Sequence, residues 1–430
     1  MTTVMFDLTN KIVVIIGAQR SGFAAAKLAY AKGAHIKLSE CADEISPEII
    51  EWMDAHKCVV EQGGHTQEFL DGADCVILSP GIPAYAEVIV WAKAKNILVL
   101  GEIEFAYQFC NGRVIAVTGS NGKTTTVNLI HNLLNEAGIN NALCGNVGAP
   151  FSDFVSEEKY EYFVVEVSSF QLESMIEQKT QEQYGVKGFE PYIAALLNFT
   201  QNHLDRHKDM NEYLEAKVKI FSNQTVDDFA VLNAHDFVRS DFVNQIDSDI
   251  VYFNEEESVS ENQNVSVLRA VAEVLGIDDV CPKVIEDFCG VEHRFEFLGT
   301  VNGVDYINDS KSTTLESGKW ALSSVEKPTI LLCGGRDKNL DFTTISDYVN
   351  SRVKKVIVYG EARLKIAEAF KSCEDLKQSP SMNEAFELAT QEAKNGDCIL
   401  LSPMCASFDE FKNFEKRGSA FKELVKKLKS

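Results

Sequence analysis

Short apolar runs recur along the chain, and most end at a glycine or a polar cluster before apolar residues resume at helical spacing. Residues 11–16 (KIVVII) form one such run, followed by a turn at 17–22 with glycine at both ends and a helical stretch through 24–28. Residues 35–38 form a second run that leads to Glu40. Runs at 75–78 and 98–100 follow, the first entering Ser79-Pro80-Gly81-Ile82. Residues 113–117, 162–166 and 192–197 form the next group of strands. Further strands are expected at 306–308, 329–333, 355–359 and 398–401, with helical pattern between them, as at 385–393. Strands alternating with helices predict an α/β protein with mostly parallel sheets, whose working edge is the carboxyl ends of the strands. The segment 177–189 is polar and reads as a surface loop. The acidic stretch 254–264 reads as a break ahead of the last group, with a helix at 266–275 after it.

The most informative junction follows residues 113–117. There Gly119-Ser120-Asn121-Gly122-Lys123-Thr124-Thr125 precedes a stretch in which Val127, Leu129, Ile130, Leu133 and Leu134 share one helix face. A helix N-terminus exposes unpaired N–H groups and carries partial positive charge, so it suits a phosphate. Glycines let the backbone close around the phosphate, a lysine reaches the outer oxygens, and a hydroxyl can hold Mg²⁺. The first glycine of the common P-loop pattern falls at Val117, so the motif is the shorter G-x-x-G-K-T-T. An ordinary glycine turn capping a helix is the plainer alternative. The strand at 162–166 delivers Glu166 at its end, a usual way to supply a Mg²⁺ ligand beside a P-loop. The exit of 192–197 crowds His203, Asp205, Arg206 and His207 together, and a helix over 209–224 carries Lys217 and Lys219. The turn at 17–22 is G-x-x-x-x-G and lacks the dinucleotide fingerprint G-x-G-x-x-G.

Composition narrows the class. A chain of 430 residues predicts two or three domains. The net charge of -23 argues against a nucleic-acid-binding protein, which needs a basic face, but not against a small anionic substrate held by local lysines and helix ends. No apolar run approaches a membrane span, and the N-terminus lacks the basic start and apolar core of a signal peptide. There are 11 cysteines with no C-x-x-C pair, which predicts reduced, structural thiols in the cytoplasm.

Together the motifs Ser79-Pro80-Gly81-Ile82, the Gly119–Thr125 loop, Glu166-Val167-Ser168-Ser169-Phe170-Gln171, Asn198 with His203, and His293-Arg294 form an ordered set. It continues with Asn308-Asp309-Ser310-Lys311, Cys333-Gly334-Gly335-Arg336-Asp337-Lys338, Ala406-Ser407-Phe408 and Asn413-Phe414-Glu415. The set resembles the Mur ligases over nearly the whole chain. The Asp-Ser-Lys and C-terminal motifs favour the D-glutamate-adding member. That resemblance implies a Rossmann-like N-terminal domain (1–108) that binds a UDP-linked substrate, a central P-loop ATPase domain (109–290) and a C-terminal Rossmann-like domain (291–430) that binds the amino acid. The implied reaction is ATP-dependent amide formation between UDP-N-acetylmuramoyl-L-alanine and D-glutamate through an acyl phosphate, in cytoplasmic peptidoglycan precursor synthesis, by a monomer.

Position by position, the resemblance implies the following roles. ATP would be bound by Gly119, Ser120, Asn121, Gly122, Lys123, Thr124, Thr125, Asn264, Arg294 and Asp309. Two Mg²⁺ ions would be held by Thr124, Glu166, His203 and a carbamylated Lys217, with Lys123, His203 and Lys217 catalytic. Ser21, Glu40, Ser79, Gly81, Asn146, Ser168 and Gln171 would contact the UDP substrate. Lys311, Thr313, Lys338, Ser407, Phe408 and Phe414 would form the D-glutamate pocket. The sequence departs from the family pattern at 261–264, where Glu-Asn-Gln-Asn stands for the frequent Gly-Arg-His-Asn, and at Val267, where the family has a second asparagine. Two other readings remain open: a folylpolyglutamate synthase-like ligase, and a non-catalytic protein that uses the P-loop as a nucleotide switch.

Overall fold

The structure, a computed structural model, describes residues 6–83, 85–200, 206–254, 262–288 and 290–429. Three sheets follow one another along the chain. The first holds β1 (Ile12–Ile16), β2 (His35–Glu40), β3 (Val59–Gln62), β4 (Cys75–Leu78) and β5 (Leu98–Gly101). Their order is β3-β2-β1-β4-β5, and every pairing is parallel. The second holds β6 (Arg113–Thr118), β7 (Asn141–Gly145), β8 (Tyr162–Glu166), β9 (Ile193–Leu196), β10 (Phe229–Asn233) and β11 (Asp249–Phe253). It runs β11-β10-β9-β6-β8-β7, again all parallel. The third holds β12 (Glu296–Val301), β13 (Val304–Asn308), β14 (Thr329–Gly334), β15 (Val353–Tyr359), β16 (Leu376–Ser379) and β17 (Cys398–Leu401). Its order is β12-β13-β17-β14-β15-β16, with only β12 and β13 antiparallel.

The first two sheets form one compact unit and the third forms another. Central strands are covered on both faces and read as unbroken apolar runs, as parallel strands must. β14 and β17, for example, are buried along their whole length. Among the described residues no helix is long and apolar enough to cross a membrane.

Two expectations change. The segment 177–189 is not a loose surface loop. It contains the helix Gln178–Tyr184, and Phe189 is completely buried, edge-on to Tyr107 with ring centroids 5.4 Å apart. Gln181 donates to Asn223 at 2.8 Å, and the Tyr184 hydroxyl donates to the Asn96 carbonyl at 2.9 Å. Polar composition hid an anchored element, because a buried aromatic ring and a few directed bonds suffice to fix a short helix. The break expected at 254–264 does not end the second core: the helix after it, Gln263–Leu275, packs there, within the 109–290 span expected for the central domain. Val267, Leu268 and Val271 pack with Val127, Ile130 and Leu134 of the P-loop helix Lys123–Glu136. The family asparagine missing at Val267 is therefore replaced by a core side chain, fully buried.

Within the first unit, the short helix Glu102–Tyr107 ties the first sheet to the second through two buried carboxyls. Glu102 accepts from the Ser152 N–H at 2.8 Å, and Glu104 accepts from the Ile176 N–H at 3.1 Å. Burial pushes Glu102 up to about 7 and Glu104 up to about 8. A carboxyl whose folded pKa exceeds its unfolded value contributes stability at low pH that is lost as the pH rises through the folded value. For Glu104 that window runs from 4.5 to about 8. Thermal unfolding should therefore show the protein losing stability between pH 5 and pH 8. The Glu104→Gln variant, which cannot ionise, should lose less, and equal losses would contradict the assignment.

Candidate active site

The centre of the second sheet positions the site. β6 lies between β9 and β8, so the loop at its carboxyl end is flanked by the exits of two strands. The loop 119–122 turns into the helix Lys123–Glu136 with Gly119 at φ 148° and Gly122 at φ 86°. At Gly119 a Cβ would also come within 2.9 Å of Leu197 Cβ, so both the turn and the approach require glycine.

From the β9 side, Asn198 staples the loop. Its carbonyl accepts from Ser120 N at 3.1 Å and its Oδ1 from Asn121 N at 2.8 Å, while its Nδ2 donates to Asn121 O at 3.1 Å. Ser120 Oγ donates to the Thr200 carbonyl at 2.9 Å. From the β8 side, Glu166 stands in register with Val117. Its Oε2 accepts from Thr124 Oγ1 at 2.6 Å and its Oε1 from Asn146 Nδ2 at 2.7 Å. A carboxylate beside a hydroxyl at a helix start offers hard oxygen donors, and this set fits Mg²⁺.

Two ammonium groups meet the same loop. Lys123 Nζ donates to the carbonyls of Gly119 at 2.7 Å and Ser120 at 3.1 Å. Lys217 comes from the helix Met210–Val218, whose start is capped by Asp209. It is 1% exposed, its Nζ donates to the Gly119 carbonyl at 2.9 Å, and it lies 4.6 Å from the centre of the Tyr213 ring. Burial, reinforced by the Lys123 charge, drives the Lys217 pKa well below that of an ordinary lysine. The predicted helix over 209–224 ends at Val218, and Lys219 sits on the following single turn. His203 lies outside the described residues.

Of the remaining nucleotide residues in this unit, Thr125 is half-buried in the first helical turn. Asn264 Oδ1 accepts from Thr126 Oγ1 at 3.1 Å and would lie 2.8 Å from a Cβ on Gly122. Among the expected substrate contacts, Ser168 and Gln171 cap the helix Ser169–Glu173 reciprocally, side chain to backbone in both directions. Glu40 sits at the end of β2, where Ala18 N and Ala42 N donate to it at 2.6 and 3.1 Å. Burial opposes ionisation there, and these bonds outweigh it and hold the carboxyl below its ordinary pKa. Ser79, at the end of β4, donates to the Gly17 carbonyl at 3.0 Å, and Ser21 lies in the first turn of the helix Arg20–Ala31. Ser21, Glu40, Ser79 and Gly81 thus share the carboxyl edge of adjacent strands. A cavity of ≈ 480 Å³ lies beside edge strand β5, walled by Leu78, Ile89, Val99, Met175 and Tyr184, and none of the expected site residues lines it.

In the second unit, β13, β17 and β14 are neighbours, and their exits carry Lys311, Ser407 and Lys338. Lys338 Nζ reaches Thr313 Oγ1 at 3.4 Å, and Lys311 Nζ lies 5.2 Å from the centre of the Phe414 ring. Ser407 is buried and the neighbouring Phe408 is 60% exposed. Arg417, completely buried, fastens these exits. It donates to Ser310 Oγ at 3.0 Å, to the Ser310 carbonyl at 2.8 Å and to the Cys405 carbonyl at 3.1 Å. Asp309 accepts from Ser402 Oγ at 2.9 Å and from Phe295 N at 3.1 Å. Burial raises its pKa to about 7, against the Ser402 bond and the Arg294 charge. Glu292, His293 and Glu296 also cluster here, but Lys422 Nζ already sits 2.7 Å from each carboxylate.

Comparison with known proteins bears on the whole chain. Residues 11–101 match the "Mur ligase MurD-like, N-terminal domain", 117–276 the "Mur ligase middle domain" and 293–405 the "Mur ligase, glutamate ligase domain". Proteins named UDP-N-acetylmuramoylalanine--D-glutamate ligase are 35% identical in Koribacter versatilis, over 98% of both chains, and 37% in Chlorobaculum parvum, over 98% of this chain and 99% of that one. Among solved structures, UDP-N-acetylmuramate-alanine ligase of Thermotoga maritima superposes with a TM-score of 0.59 at 17% identity, over 97% of this chain and 99% of that one. A bifunctional folylpolyglutamate synthase/dihydrofolate synthase of Yersinia pestis gives 0.54 at 13% identity, over 75% and 92%. These structures share the fold, while the sequence relatives and the three matched domains place the chain itself: it belongs to the Mur ligase family.

Proposed function

We infer that the protein is an ATP-dependent ligase that adds D-glutamate to UDP-N-acetylmuramoyl-L-alanine in peptidoglycan precursor synthesis. The observation that carries this reading is the convergence of Lys123, Thr124, Glu166 and Lys217 on one glycine loop, in a chain about 35% identical to D-glutamate ligases over nearly its full length. The folylpolyglutamate synthase shares the fold at much lower identity, and a nucleotide switch has no need of a lysine buried beside the loop. A nucleotide-linked substrate and ATP as reactants support a cytoplasmic reaction.

A carboxylate is a poor electrophile, and phosphorylation makes it a good one. The substrate carboxylate attacks the γ-phosphorus of ATP, ADP leaves, and an acyl phosphate forms. The D-glutamate amine adds to the acyl carbon, and the tetrahedral intermediate expels phosphate and loses the ammonium proton. Nearly all the protein contributes is position and charge neutralisation. Lys123, which rests on loop carbonyls, is placed to turn onto the outer phosphates. Thr124 and Glu166 are the proposed holders of one Mg²⁺, and His203 with modified Lys217 of a second; the ions would neutralise phosphate charge. Lys311 and Lys338 are proposed to take the two carboxylates of D-glutamate, with Thr313, Ser407, Phe408 and Phe414 around them. Arg294, Asp309 and Asn264 are proposed nucleotide contacts. Ser21, Glu40, Ser79, Gly81, Asn146, Ser168 and Gln171 are proposed to hold the UDP substrate.

The environment of Lys217 supports its proposed carbamylation. The reaction needs a neutral amine, whose nitrogen attacks CO₂ and releases a proton to leave an anionic carbamate. Burial and the neighbouring Lys123 lower the Lys217 pKa, which favours the neutral amine relative to an exposed lysine. Protein exposed to ¹³C-bicarbonate should give a carbamate ¹³C resonance that is missing in Lys217→Ala and fades on acidification. No Lys217-dependent resonance at pH 8 under saturating CO₂ would contradict the modification.

Steady-state kinetics tests the function. Phosphate release from ATP should require both UDP-N-acetylmuramoyl-L-alanine and D-glutamate. Charge-assisted bonds contribute roughly 1.5–3 kcal/mol each, so Lys338→Ala should raise the KM for D-glutamate at least about tenfold and leave the KM for ATP nearly unchanged. Turnover with L-glutamate or a folate in place of the two substrates would overturn the assignment.

A further inference from the structure

One polar side chain beside the loop has no part in the chemistry above. Gln263 opens the helix Gln263–Leu275. Its Nε2 donates to the Leu197 carbonyl at 2.5 Å, and its Oε1 accepts from Asn198 Nδ2 at 3.0 Å. Both partners belong to the exit of β9. Only one orientation of the Gln263 amide satisfies a carbonyl on one side and an N–H on the other.

The same holds one step further in. Asn198 gives one Nδ2 hydrogen to Gln263 and the other to Asn121 O, while its Oδ1 takes Asn121 N. Its backbone carbonyl takes Ser120 N at 3.1 Å. Three consecutive peptide planes of the loop, 119–120, 120–121 and 121–122, are therefore pinned by a single residue. Gln263 is the group that completes that residue's hydrogen bonding. A loop that binds phosphate through its backbone depends on peptide orientation, so the amide pair sets how well the loop is preorganised.

We propose that Gln263 is a positioning residue for the nucleotide, acting through Asn198 to hold the loop 119–122 in its phosphate-binding conformation. The proposal rests on the reading of this loop as the ATP site. Removing the side chain's hydrogen bonds should loosen the loop and weaken nucleotide binding without touching the amino-acid pocket.

The test is titration calorimetry of Mg²⁺–ADP on the full-length enzyme, with steady-state KM values alongside. Gln263→Leu should weaken ADP binding about tenfold, the loss of the one bond that reaches Asn198, at about 1.4 kcal/mol per decade, and raise the KM for ATP similarly. The KM for D-glutamate should stay within about twofold. Gln263→His, whose ring carries one donor and one acceptor, should recover most of the lost affinity. If the Leu variant does not fold, Gln263→Asn keeps both groups on a shorter stem that cannot span both partners, and it should show the same loss. Unchanged ADP affinity in a folded Leu or Asn variant would overturn the proposal. So would equal rises in the KM values for ATP and D-glutamate, which would mark a general structural role. Failure of the unsubstituted enzyme to bind ADP would instead overturn the site assignment, and this proposal with it.

Discussion

β6 lies between β9 and β8, so two strand exits reach its carboxyl end from opposite sides, and the first unit's chemistry depends on that constraint. β8 brings Glu166 level with the last turn of the strand, and β9 brings Asn198 against the other side of the loop. Neither contact survives a different strand order, because a parallel sheet fixes which exits are neighbours. Glycine at 119 and 122 then lets the backbone pass between them. The third sheet solves the same problem with β17 between β13 and β14, bringing Lys311, Ser407 and Lys338 to one edge.

Burial of ionisable groups is the second recurring device. A charge removed from water either finds partners or changes protonation state. Arg417 takes the first course, with carbonyl and hydroxyl oxygens as acceptors around its guanidinium. Lys217 is pushed toward the second: burial and the repelling Lys123 lower its pKa, with the Gly119 carbonyl and an aromatic face as its other surroundings. Glu102 and Glu104 are pushed toward the neutral form at the join of the first two sheets, where burial raises both pKa values.

Much of this was legible in the sequence. The apolar runs located the central strands, and the glycine-lysine-threonine turn located the loop, because both follow from local rules of burial and helix geometry. Ordered motifs supplied the family, and with it the candidate site residues that local rules could not. What escaped was set by tertiary contact. Polar composition at 177–189 gave no sign that Phe189 would be buried or that Gln181 and Tyr184 would find partners. The acidic stretch before Gln263 suggested a domain break, yet the next helix packs on the P-loop helix. Asn198 and Gln263 carried no periodicity signal, since a side-chain amide that bonds backbone across strands is indistinguishable in sequence from one in water. The capping role of Ser168 and Gln171 was visible in principle as a Ser-x-x-Gln pattern at a strand exit.

The central claim is that ATP activates the substrate carboxylate by phosphorylation in the site built around the β6 loop. Isotope transfer tests it most directly. UDP-N-acetylmuramoyl-L-alanine carrying ¹⁸O in its alanyl carboxylate is converted with ATP and D-glutamate, and the inorganic phosphate is analysed by mass spectrometry. An acyl phosphate predicts that one carboxylate oxygen leaves with phosphate in each turnover. Phosphate free of ¹⁸O, with amide product formed, would contradict the account.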